Sequence, residues 1–134
     1  MLVEHARSLA GIEDAAHAEY GPGGTPVISS LACSLDGQQI TVELAAGTRL
    51  AALHPDQARV TEFTTCNYGL APGFDELATS CGMRIGATEP DGEVRAIERI
   101  DHPFFLGTLY QPQLRSTAEQ PHPVFLGLLR AMSV

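Results

Sequence analysis

The chain has 134 residues, 8 basic against 16 acidic side chains, a net charge of −8, and a composition that is 44% hydrophobic and 18% charged. That length holds one ordinary domain and not two, and the composition builds a core rather than a disordered chain. The acidic balance leaves no basic footprint for nucleic acid or an anionic membrane. All 8 basic residues are arginine, so no lysine is present for a Schiff base or a phosphate loop.

In chain order, Leu2, Val3, Ala6, Leu9 and Ala10 recur at helical spacing and predict an amphipathic helix over 1–10, closed by Gly11 and opened by no capping residue. Gly21-Pro22-Gly23-Gly24 is a turn-rich linker without the strand-turn-helix setting of a phosphate loop. Pro26 to Leu35 and Gln39 to Leu44 read as strands joined by Asp36-Gly37, a hairpin dipeptide, and Gly47 to Leu53 as a further short strand. Pro72 to Cys81 reads as a helix, with Asp75 and Glu76 early in it. Met83 to Thr88 and Glu93 to Ile100 flank a second hairpin dipeptide, Asp91-Gly92. The apolar run Phe104 to Tyr110 predicts a core strand buried on both faces. Pro123 opens a last helix whose core face is Val124, Phe125, Leu128, Leu129 and Met132.

The early charges of Met1 to Ser8 fit neither a signal nor a transit peptide, and no apolar run approaches membrane-spanning length. A cytoplasmic protein is expected. Cys33, Cys66 and Cys81 are odd in number, widely spaced and without a C-x-x-C pair, which predicts reduced, mostly buried thiols rather than a disulfide scaffold or zinc finger. His102 and His122 sit in His-Pro pairs whose spacing fits no metal motif, so turn and cap packing is the expected role. His17 with Glu13, Asp14 and Glu19 reads as a solvated acidic loop.

The segment Asp101-His102-Pro103-Phe104-Phe105, the apolar run to Tyr110, then Gln111-Pro112-Gln113-Leu114-Arg115 and Pro121-His122-Pro123-Val124-Phe125 resembles the end of the glutamine amidotransferase domain of CTP synthase. The family pattern there is N-H-P-W-F, a buried strand, Q-F-H-P-E-F, G-H-P-L-F and a final helix. Val3 to Ala15 resembles the helix and loop after the family's nucleophile, Gly47-Thr48-Arg49-Leu50 its M-R-L-G region, and Thr65-Cys66-Asn67-Tyr68-Gly69 falls at its R-H-R-Y-E. The resemblance covers essentially the whole chain. It extends to the stand-alone proteins described as CTP synthase C-terminal region-related, some of them selenoproteins.

The resemblance implies a Cys-His-Glu triad that releases ammonia from glutamine: the thiolate attacks the amide, the His moves protons, the Glu orients the His, and backbone amides hold the oxyanion. Here Gln111 stands at the His position and Gln113 at the Glu position. An amide is no base near neutral pH, so Gln111 cannot take a thiol proton or protonate ammonia. The family's Gly-x-Cys-x-Gly elbow lies just ahead of the helix that resembles residues 2–10. The expectation is an upstream portion absent from the reading frame or lost; in the selenoprotein-bearing group, an in-frame UGA read as a stop would move the assigned start to the next Met. In R-H-R-Y-E, Cys66 replaces the His and Asn67 the second Arg, a glutamine-recognising residue in the family, while Tyr68 is kept; Asn67 and Tyr68 are the substrate-binding candidates.

The expected fold is therefore an α/β domain, the C-terminal portion of a flavodoxin-like class I glutamine amidotransferase sandwich, with β-hairpins and end helices, residues 1–134 forming one partial domain. The expected function is a CTP synthase glutaminase-like protein inactive as a glutaminase, without cofactor or metal. The first alternative is a non-catalytic protein that regulates or completes the sheet of another chain; the next is a hydrolase using Cys66. Gln111 and Gln113, at the end of a strand in a parallel arrangement, are candidates to line a vestigial pocket. A missing N-terminal half, a partner chain or a homo-oligomer is expected to cover the open sheet, with no nucleic acid and no membrane among the partners.

Overall fold

The computed structural model describes residues 1–133. Asp91-Gly92 makes the tight turn its composition predicts. Gly92 takes φ +96°, where a side chain would be strained, and the Glu89 and Glu93 backbones close the loop. The flanking strands β6 (Met83–Thr88) and β7 (Val94–Arg99) pair antiparallel, with Thr88 opposite Val94. Around them forms a five-stranded sheet of order β4-β3-β6-β7-β8, where β3 is Gln38–Leu44, β4 is Arg59–Thr64 and β8 is Leu106–Thr108. A second, three-stranded sheet has order β1-β2-β5, from Ala15–His17, Thr25–Ser30 and Tyr68–Leu70. Only its β1–β2 pair is parallel.

The strand buried on both faces is β7, not Phe104 to Tyr110. Val94 and Ile97 join one core with Ala6 of helix α1 (Leu2–Ser8), Phe74 and Ala78 of helix α3 (Phe74–Ser80), Val27 and Ile28. Ala96 joins the other with Ile40, Val42, Val60, Ala87, Tyr110 and Leu50. Two of the three charged residues of β7 are buried as well, Arg95 at 3% and Glu98 at 4% exposure. Each has a partner, as a buried charge must. Arg95 pairs with Glu89. Glu98 accepts from the Arg49 and Leu50 backbone N–H groups at 2.9 and 3.1 Å.

Those two N–H groups open helix α2 (Arg49–Ala52), which replaces the strand expected over Gly47 to Leu53. Thr48 caps it, accepting from Ala51 N at 3.1 Å, and the Glu98 carboxylate takes two further donors that a helix start leaves unpaired. A cap from a residue 49 positions away is invisible to local pattern.

Three other expectations change. Asp36-Gly37 does turn, with Gly37 at φ +72°, but β2 lies in one sheet and β3 in the other, so it is a crossing between sheets and no hairpin. β8 is a short edge strand, antiparallel to β7 and half-buried; of Phe104 to Tyr110 only Tyr110 is fully buried. The last helix, α4 (Pro123–Met132), packs through Val124 and through Gly127, whose bare backbone fits against Leu53 and Phe104. Leu128, Leu129 and Met132, expected in the core, are 40%, 58% and 71% exposed. The cysteines also depart from expectation, with Cys33 exposed and Cys66 and Cys81 half-buried, all three as free thiols. No helix among the described residues is long and apolar enough to cross a membrane.

Glu98→Ala leaves two buried N–H groups of α2 without an acceptor, and urea unfolding is expected to show a loss of about 3 kcal/mol. Glu98→Gln, which keeps one acceptor, is expected to lose about half as much.

Candidate functional site

The residues at the family's catalytic positions lie where β8 ends and the chain turns beside the β4–β5 connection. The Gln111 backbone N–H donates to Phe63 O at 2.9 Å, and its side-chain carbonyl accepts from Thr65 N at 2.7 Å. The Thr64 hydroxyl donates to Leu109 O at 3.1 Å and accepts from Cys66 N at 3.0 Å. Gln111 and Cys66 are thus brought to one locus, Gln111 by its backbone N–H and side-chain carbonyl and Cys66 by its backbone N–H. Gln113, one turn on in the 3₁₀ segment Pro112–Arg115, is exposed. The parallel setting expected for this pair is replaced by an antiparallel edge, so the strand-end argument for a ligand pocket does not apply.

The Cys66 thiol donates to Tyr68 O at 3.2 Å, and no histidine or carboxylate is hydrogen-bonded to it among the described residues. Asn67 is exposed and accepts from the Ser34 hydroxyl at 2.7 Å. Tyr68 is half-buried and packs its ring against His17 at 5.1 Å. His17 itself accepts from Glu19 N. His102 accepts from Phe104 N, the turn role its His-Pro pair predicts.

A second constellation lies on the inward face of β4, around Glu62. Along β4 the inward positions are Val60, Glu62 and Thr64, so Glu62 takes a slot where the strand period calls for an apolar side chain. It is 2% exposed and faces two buried histidines. His122, the N-cap of α4, accepts from Val124 N at Nδ1 and brings Nε2 to 3.0 Å from Glu62 Oε1. Because Nδ1 accepts, Nε2 carries the ring proton and donates to the carboxylate. His54, just past α2, has Nδ1 at 3.1 Å from Leu50 O; a carbonyl only accepts, so Nδ1 donates and Nε2 keeps a lone pair. The two imidazoles meet edge to face at 5.8 Å. A cleft lined by Gln57, Arg59, Arg115 and Gln120 opens over them. In the sequence this cluster showed only as Glu62 at an inward slot of β4 and His122 in its His-Pro pair; the separation of the three residues along the chain hid their meeting.

Tyr110 is 2% exposed, and its hydroxyl has no hydrogen-bond partner among the described residues. Burial first, and the nearby negative charge of Glu62 second, push its phenol well above the usual 10.0.

No family profile matches the chain. The structure superposes on the glutaminase domain of Trypanosoma brucei CTPS with bound acivicin at TM-score 0.91 and 23% identity, covering 98% of this chain and 55% of that one. It matches a protein described as a GMP synthase component from Thermoplasma acidophilum more loosely, at TM-score 0.58 and 10% identity over 79% of this chain and 48% of that one. The fold is therefore the flavodoxin-like α/β fold of the class I glutamine amidotransferases. In sequence the chain is 32% identical to CTP synthase from Methanopyrus kandleri over 143 residues, 98% of this chain and 26% of that protein. It is 34% identical to CTP synthase from Rhizobium meliloti over 148 residues, 97% of this chain and 27% of that protein. The chain is homologous, along its whole length, to the glutaminase domain of CTP synthase, and spans about a quarter of the length of those relatives.

A raised tyrosine pKa means the folded state holds its proton longer than the unfolded state, so the stability it contributes is present below 10.0 and lost as pH rises past it. Ultraviolet titration of phenolate is expected to show Tyr110 ionising only as the chain unfolds in alkali. Ionisation of all three tyrosines in one step with the fold intact would contradict this.

Proposed function

We propose that this chain is a glutaminase-like module of CTP synthase type that does not hydrolyse glutamine, one domain over residues 1–134 acting in the cytoplasm. The observation that carries the reading is the Gln111 side chain. It stands at the family's proton-transferring position, it is an amide and so no base, and its carbonyl is already committed to Thr65 N at 2.7 Å. Gln113, at the position of the family's orienting carboxylate, is uncharged and solvent-exposed. Asn67 in place of the glutamine-recognising arginine removes the cation that would pair with the substrate carboxylate. Cys66 is not supported as a substitute nucleophile, since its hydrogen-bond partner is a backbone carbonyl.

A second reading, that the module works by associating with another polypeptide, is supported by its uncovered apolar surface. Leu129 and Met132 of α4 and Leu114 are exposed. On the far side, Met1, Leu2, Leu70, Ile97, Gly107 and Leu109 line an apolar hollow beside edge strand β8. An N-terminal half, a partner chain or a second copy would bury these surfaces.

Purified chain incubated with glutamine is expected to release no ammonia beyond the buffer rate; glutamine-dependent release abolished by Cys66→Ser would overturn the first reading. Sedimentation is expected to show self-association, or capture of the module by a chain supplying the remaining strands. A stable monomer that binds neither would count against the second.

A further inference from the structure

We propose that His54, Glu62 and His122 form a binding site for one divalent transition-metal ion of the zinc type, separate from the glutaminase-like locus. All three side chains are buried, and one donor atom from each lies within 4.8 Å of the others. Three features favour a metal over a simple buried ion pair. Glu62 Oε2 is buried without a hydrogen-bond partner among the described residues, and an orphan carboxylate oxygen calls for a ligand. His54 donates Nδ1–H to the Leu50 carbonyl at 3.1 Å, the backing that orients a ligating imidazole and presents its Nε2 lone pair. The donor set, two imidazoles and one carboxylate, suits zinc and its borderline neighbours and is too nitrogen-rich for magnesium or calcium.

The scaffold is fixed on three elements. His54 follows α2, whose start is tied to Glu98; Glu62 lies midway along edge strand β4, paired opposite Ile40 of β3; His122 begins α4. Donor atoms around a tetrahedral ion stand roughly 3.3 Å apart, so a small inward rotation of the rings closes the site. On ligation His122 changes tautomer: Nε2 gives its proton to solvent, Nδ1 takes one up from solvent, and the neutral ring then binds through Nε2 while the new Nδ1–H releases Val124 N–H. The fourth coordination position faces the cleft beside Arg115 and Gln120, open to water or an anionic donor.

The test is titration of the tag-free, chelator-stripped 134-residue chain with Co²⁺. The expected result is a tetrahedral-type visible spectrum saturating at one ion per chain and bleached by Zn²⁺. His54→Gln is expected to weaken binding at least about tenfold with an unchanged circular dichroism spectrum, whereas His102→Gln binds as the parent. Should His54→Gln not fold, long-range imidazole ¹⁵N spectra of the unaltered chain decide: Zn²⁺ is expected to shift His54 and His122 and leave His17 and His102 in place. Absence of Co²⁺ binding, undiminished affinity in folded His54→Gln, or shifts at His17 or His102 instead would each overturn the site.

Discussion

Burial of β7 on both faces is possible only because its two buried charges, Arg95 and Glu98, are matched inside the protein. Arg95 has Glu89, and Glu98 has the start of α2. A buried charge without a partner costs several kcal/mol, so each pairing sets where another element must go. Glu89 holds the hairpin that closes β6 on β7. Glu98 draws α2 over the sheet, which seats Leu50 in the second core and places His54 beside Glu62. The two cores are separate in their side chains, and β7 and its neighbour β6 each contribute to both.

The same economy of partners separates the two candidate loci. At the glutaminase-like locus the polar groups are satisfied by one another: Gln111 with Thr65, Thr64 with Leu109 and Cys66, the thiol with Tyr68. Among the described residues no histidine or carboxylate is hydrogen-bonded to the thiol there. Elsewhere, Glu62 Oε2 and Tyr110 Oη are buried without hydrogen-bond partners among the described residues. Homology to the glutaminase domain of CTP synthase therefore describes the fold, while the unsatisfied groups are not at the family's catalytic positions.

The locally encoded parts of the fold were readable. Asp91-Gly92 with its flanking strands, the helix over Phe74–Ser80 and Pro123 at the start of α4 follow from turn chemistry, capping and propensity. The motifs of the last third were also enough to show the family resemblance. The misreadings share one cause. Phe104 to Tyr110 looked like the central strand because it is apolar, and Val94–Arg99 did not because it carries Arg95 and Glu98. Leu128, Leu129 and Met132 looked like core because they are apolar at helical spacing, yet α4 turns Gly127 inward.

By itself the sequence determined which segments are helix-forming or turn-forming, that Gln111 and Gln113 are not acid–base groups, and which ancestry the chain shares. Those properties belong to side chains and near neighbours, and survive any rearrangement of the fold. Tertiary structure decided which strand is central, which apolar face stays in solvent, and that residues 54, 62 and 122 meet. These depend on partners far along the chain, such as Glu98 for α2 and Glu62 for His122, and no local spacing encodes a contact that only packing brings about.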